Sequence, residues 1–290
     1  MDRLLFGDNQ FFGVNHMSEE RARAQAMRFQ DTSTIMGVLD AAYDEGVTTF
    51  MCTTHDRVAE ICEVVRQDRD RYAGMEFFPC MPYAHKYANA MTEEGPIGAL
   101  RRFLPDEGFL NAALRGGKSL ASKDIEGLTT LLVDAEMTMF RGLRTPVVFL
   151  QNVVVDLLLG LGFDAAFRIF ADHVRSRYAA EPGFITMNLP MLLDALDRVG
   201  VVDPVVCSNI NKIGFRMPGG IDAYQEALRT RPFRAVAMSV FASGAIPADE
   251  AIEWVCAQPN IESIVFGASS RAHIASTKAL VDRCWAAVTP

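Results

Sequence analysis

Pro204-Val205-Val206-Cys207-Ser208-Asn209-Ile210-Asn211-Lys212 sets the pattern of the chain. A short apolar run with a β-branched centre turns abruptly polar, as a strand buried on both faces does where it leaves its sheet. The same event recurs along the sequence. Leu4–Gly7 runs into Asp8-Asn9-Gln10, Val47–Met51 into Cys52-Thr53-Thr54-His55-Asp56, and Met75–Pro79 into Cys80-Met81-Pro82-Tyr83-Ala84-His85-Lys86. Pro146–Leu150 ends at Gln151-Asn152 and Phe184–Met187 at Asn188. Ala235–Val240 leads to Phe241-Ala242-Ser243-Gly244, and Ile261–Phe266 to Gly267-Ala268-Ser269-Ser270.

Helical patterns lie between these runs. They cover Thr32–Ala42, Val58–Val65, Asp164–Ala179, Leu192–Val199, Ile221–Leu228, Pro247–Ala257 and His273–Trp285. Alternating strand and helix units predict an α/β chain, a (β/α)8 TIM barrel forming one domain over 1–290. A longer helical region at 97–141, interrupted by Pro105 and Gly116-Gly117, predicts a helical insertion or lid after strand three. No G-x-G-x-x-G follows the first strand, which argues against a doubly wound sheet.

Half of the 290 residues are apolar, the formal charge is −8 and the pI is about 5.2. No basic excess exists to neutralise phosphates, so no nucleic-acid partner is expected. The six cysteines have no C-x-x-C spacing and read as free, mostly buried thiols of a reducing compartment. No signal-peptide core follows the N-terminus. The longest apolar run, near Val153–Phe163, is broken by Asp156 and glycines and is too short for a bilayer. The expectation is a cytoplasmic protein with a small-molecule substrate and no membrane partner. Oligomeric state stays open, although an apolar helix face near Leu157–Leu161 could serve an interface.

The last two units carry a resemblance. Ala237-Met238-Ser239-Val240-Phe241-Ala242-Ser243-Gly244, then Ala251-Ile252-Glu253-Trp254-Val255, then Ile264-Val265-Phe266-Gly267-Ala268-Ser269-Ser270 resembles the aldo-keto reductase superfamily. Val38–Phe50 looks like its second-strand region. The resemblance implies the same barrel and a nicotinamide cofactor whose phosphates lie after strands seven and eight, at Ser243, Gly244, Ser269, Ser270 and Arg271. It also implies a catalytic Asp, Tyr, Lys and His from strands two to four. The sequence departs from that tetrad. The aspartate position falls near Cys52 or Thr53, and the tyrosine position near His55 or Asp56. The lysine position falls near Cys80 and the histidine position near Gln151 or Asn152. Carbonyl reduction then lacks its usual proton donor.

Barrels keep their chemistry at the carboxyl ends of the strands, and the candidates follow from that. Gly267 and Ser269 lead into a helix, where backbone N–H groups and the helix dipole favour an anion; Ser270 and Arg271 add to it. His55 and His85 are acid/base candidates. With His16, Cys52, Cys80 and Asp56 they could instead ligate one zinc or iron. Cys52 is a candidate nucleophile with a histidine base. Lys212 is a candidate Schiff-base lysine or anion contact. Asn9, His16, Asn152, Asn188, Asn209 and Asn211 give the rim hydrogen-bonding groups for a polyol, sugar or carboxamide.

The preferred expectation is a non-redox enzyme (lyase, isomerase or hydrolase) for a small polar, phosphorylated or carboxylated metabolite. The alternatives are an NADP-dependent oxidoreductase with a changed proton donor, His55 the first choice, or a non-catalytic barrel. The cofactor is left open between NADP and a single divalent metal.

Overall fold

A computed structural model describes residues 1–13, 19–83 and 125–288. Eight parallel strands close into one barrel in sequence order. They are β1 (Leu4–Gly7), β2 (Thr49–Thr53), β3 (Glu76–Met81), β4 (Val147–Leu150), β5 (Glu181–Thr186), β6 (Val205–Asn209), β7 (Arg234–Met238) and β8 (Ile261–Phe266). The described helices are α1 (Glu19–Arg28), α2 (Thr32–Asp44), α3 (Asp56–Gln67), α4 (Ile125–Met137), α5 (Asn152–Leu161), α6 (Ala165–Tyr178), α7 (Leu189–Arg198), α8 (Gly220–Thr230), α9 (Ala248–Cys256) and α10 (Arg271–Val288).

Every expected strand is present, and β1 and β8 keep their expected ends. β2, β3 and β6 run two residues further than the apolar runs, so Cys52, Thr53, Cys80, Ser208 and Asn209 are strand residues. β5 begins three residues earlier than expected, at Glu181, because Pro182 and Gly183 lie within it. Of the expected insertion at 97–141, α4 accounts for the end and residues 84–124 lie outside the described residues. The apolar run after Leu150 is helix α5, closed by Gly162 in a left-handed conformation. Among the described residues no helix is long and apolar enough to cross a membrane.

Strand parity sorts the side chains into two cores. Leu5, Met51, Phe78, Cys80, Val147, Phe149, Ile185, Val205, Cys207 and Val236 pack together inside the barrel. Their strand neighbours, among them Phe6, Phe50, Cys52, Phe77, Phe184 and Val206, pack against the helices. The amino end of the barrel carries ion pairs, with the Arg234 guanidinium between Glu181 and Glu262 and the Met1 ammonium 2.9 Å from Glu262. Inside, Phe149 and Gly183 are register partners on adjacent strands. A Cβ on Gly183 would overlap the Phe149 ring, so the glycine is the complement of a large side chain in a filled interior. Gly183→Ala is expected to cost about 1–3 kcal/mol by denaturant unfolding, and Phe149→Leu in the same chain is expected to recover part of the loss.

Candidate functional site

The carboxyl ends of the strands bring three groups of polar side chains to the mouth. The first joins the exits of β1, β2 and β3. Asp8 follows β1 and is buried; its Oδ2 accepts the Thr53 N–H and the Thr53 hydroxyl, each at 2.7 Å. Burial raises the Asp8 carboxyl above the ordinary carboxylate range, against the lowering by Thr53. His55 caps α3: its Nδ1 accepts the Arg57 N–H at 3.1 Å. The ring stacks on Phe12, with centroids 4.2 Å apart and planes at 14°, and lies 5.7 Å from the Tyr83 ring. Nδ1 as acceptor assigns the ring proton to Nε2. Tyr83 has its phenol raised by burial, then by Asp8 and Asp56. Glu136, buried on α4, accepts the Thr54 hydroxyl and the Tyr83 N–H, the latter at 3.2 and 3.3 Å from its two oxygens.

The second group follows β5 and β6. Asp156 of α5 accepts the Thr186 hydroxyl at 2.6 Å and the Met187 N–H at 3.1 and 3.3 Å, and burial raises its carboxyl. Asn188 caps α7 through Met191 N–H. Asn211 closes its own loop, accepting Phe215 N–H at 2.8 Å and donating to Phe215 O at 2.9 Å. Asn209 donates from Nδ2 to Arg216 O at 2.9 Å, while its Oδ1 is shielded from water with no hydrogen-bond partner. Arg216 itself is held at φ 53°. Buried unpaired acceptors are rare, and one at a barrel mouth marks a place where a donor can be received.

The third group follows β7 and β8. Ser239, Ala242 and Ser243 all have positive φ, and Gly244 continues the run. Non-glycine residues in this region cost about 1–3 kcal/mol each and cluster at ligand sites. Ser270 Oγ caps α10 by accepting His273 N–H at 3.4 Å. Arg28 of α1 donates to Ser269 O at 2.7 Å. Arg271 is drawn to α2, 2.7 Å from Glu45.

The structure separates several residues that the sequence brings under one heading. Cys52 faces the helices, its strand neighbours Met51 and Thr53 having the opposite parity. Burial, then Asp8, pushes its thiol far above the ordinary range. Cys80 faces the interior, and burial raises its thiol as strongly. Neither thiol offers a thiolate at neutral pH. Lys212 is exposed and paired with Glu250, without the apolar burial a Schiff-base lysine uses. Asn9 is exposed, and Asn152 opens α5 half-buried. Asn15, His16, His85 and Lys86 lie outside the described residues. Among the described residues no three His, Cys, Asp or Glu side chains form a metal-holding group.

Asp8, Glu136 and Asp156 are the functional candidates that sequence reading passed over. Asp8 carried a signal, being the first polar residue after β1. Glu136 sits inside a helical segment where nothing local marks it, and Asp156 showed only as the lone charge in the apolar run near Val153–Phe163.

No family model and no curated protein matches the chain. Solved structures match its fold. A proposed aldo-keto reductase of Pseudomonas aeruginosa, PA4992, aligns over 98% of this chain and 90% of its own, at 14% identity and TM-score 0.59. An aldo/keto reductase of Brucella melitensis aligns over 99% and 95%, at 9% identity and TM-score 0.54. A single-site variant of Gox0644, solved with NADPH, aligns over 97% and 83%, at 10% identity and TM-score 0.56. The fold is therefore that of the aldo-keto reductase barrel, at low sequence identity.

All six cysteines are free and buried. Under native conditions at mildly alkaline pH the thiols are expected to react with a disulfide reagent far more slowly than after unfolding. Rapid native labelling mapped to Cys52 would restore it as a nucleophile.

Proposed function

We propose that the chain is an NADPH-dependent oxidoreductase reducing the carbonyl of a small polar metabolite. The observation that carries this reading is His55: a ring at the β2 exit, clamped between Phe12 and Tyr83, with Nδ1 accepting the Arg57 N–H so that Nε2 carries the ring proton. The non-redox reading rested on the missing tyrosine and lysine. A neutral imidazole at a helix N-terminus is an established way to polarise a carbonyl, so loss of those two residues does not exclude reduction.

The fit to a dinucleotide rests on this chain's own groups. Asn209 Oδ1 is an acceptor without a donor, and a carboxamide N–H would answer it. The start of α10 at Ser269 and Ser270 suits a phosphate, because a helix N-terminus presents backbone N–H groups and a favourable dipole, and the left-handed run at Ala242, Ser243 and Gly244 shapes the neighbouring turn. Arg28, bonded to Ser269 O, places a cation beside that turn. The bound cofactor would supply hydride to a carbonyl carbon. His55 would donate a hydrogen bond from Nε2 to the carbonyl oxygen, and Phe12 and Tyr83 would hold the ring in place and limit water around it.

Calorimetric titration with NADPH and with NADH tests the reading. Saturable binding, tighter for NADPH, is expected; absence of binding for both nucleotides overturns it. In a panel of aldehydes and keto acids followed by NADPH absorbance, His55→Phe keeps a ring against Phe12 but loses the donor. It is expected to bind NADPH as the parent does and to lose about 10²–10³-fold in turnover.

A further inference from the structure

His55 leaves the chemistry incomplete. Reduction of a carbonyl consumes one proton at oxygen. The His55 ring cannot shed its Nε2 proton without becoming an anion, because its other nitrogen is occupied as an acceptor of Arg57 N–H. A second group must give the proton.

Asp8 has the placement for it. It stands at the first turn out of β1, 6% exposed. Among the described residues its carboxyl is held by the Thr53 N–H and hydroxyl of β2, and its charge is felt by the Cys52 thiol of β2, the Cys80 thiol of β3 and the Tyr83 phenol. No cationic side chain among the described residues acts on its carboxyl. Asp8 is tied to Thr53, two residues before His55 at the β2 exit, so the two lie in one sector of the mouth. Both Thr53 bonds fall on Oδ2. Oδ1 can therefore carry a proton without disturbing either bond.

Resting on the reductase reading above, we propose that Asp8 is the proton donor of the reaction. The O–H bond at Asp8 Oδ1 breaks as an O–H bond forms on the substrate oxygen, and the carboxylate left behind is held by the two Thr53 donors. Solvent returns the proton before the next turnover. Burial keeps the carboxyl protonated to higher pH than an exposed aspartate.

Asp8→Asn separates this role from a merely structural one. One amide oxygen can accept both Thr53 bonds, so the mutation keeps the clamp and removes the titration. The raised folded-state pKa gives the sign for stability. Stability attached to protonated Asp8 is complete below its unfolded pKa and is lost as pH rises through the folded value. At neutral pH Asp8→Asn should thus melt at or above the wild-type temperature, with the advantage fading in acid. NADPH affinity should be unchanged, while turnover falls about 10²–10⁴-fold and the alkaline fall-off of wild-type turnover disappears. The Asp8 carboxyl carbon, followed by NMR in the wild-type protein, should titrate above the ordinary aspartate range. Unimpaired turnover in Asp8→Asn overturns the proposal. So does a melting temperature below wild type at neutral pH, which would make Asp8 a clamp, or a carboxyl titrating at or below the ordinary range. Failure of the wild-type protein to bind NADPH sinks the reductase reading and this role with it; binding with unimpaired Asp8→Asn sinks only the role.

Discussion

A strand leaving a closed parallel barrel carries a backbone N–H out of the ladder and into a crowded mouth, where an unmet donor costs about 1–3 kcal/mol. This chain meets that constraint three times in one way, with a carboxylate, buried at Asp8 and Glu136 and half-buried at Asp156, that accepts one backbone N–H and one threonine hydroxyl. Asp8 takes both from Thr53 and ties β1 to β2. Glu136 takes the Thr54 hydroxyl and the Tyr83 N–H, tying α4 to the exits of β2 and β3. Asp156 takes the Thr186 hydroxyl and the Met187 N–H, tying α5 to the exit of β5. At β6 amides do the same work, Asn209 and Asn211 each gripping the loop that ends at Arg216. The rim is thus fixed by hydrogen bonds between carboxylate or amide side chains and backbone or hydroxyl groups, and His55 inherits its position from the loops so held.

The barrel was legible because burial on both faces leaves continuous apolar runs, and because these runs alternate with amphipathic helices. What the runs conceal is parity. A strand flips its side chains at every residue, so Cys52 and Thr53, read together as one exit, face opposite ways. Cys52 belongs to the helix-facing core and Thr53 to the mouth. Glycine and proline also hid the start of β5: Gly183 reads as a turn, whereas it answers the bulk of Phe149 across the ladder. Such a complement is a contact between residues far apart in sequence.

The site was legible in part. His55 was named from its position after β2, and the structure adds what no local pattern shows, the ring of Phe12 from β1's loop and that of Tyr83 from β3's. The amide-rich rim was read as substrate-facing. Asn188 and Asn211 instead cap and close their own loops, the ordinary use of asparagine in turns. Asn209 alone among them keeps a buried oxygen without a partner. Lys212 and Arg271 were read as anion contacts, but each has a carboxylate on a neighbouring helix, Glu250 and Glu45. Pairings across that much sequence become visible only once the helices are placed.

The three carboxylates share a motif but differ in what protonation would do to them. Asp156 and Glu136 use both oxygens to receive their donors. A proton on either residue would compete with a shared N–H bond that holds a loop. Asp8 concentrates its two Thr53 bonds on one oxygen, and among the described residues the one further contact of this kind is with its own backbone N–H. Gaining or losing a proton at the second oxygen leaves the β1–β2 tie in place. A rim built from carboxylates faces a conflict between rigidity, which wants every oxygen engaged, and proton transfer, which wants one oxygen spare. The asymmetry at Asp8 resolves that conflict within a single side chain.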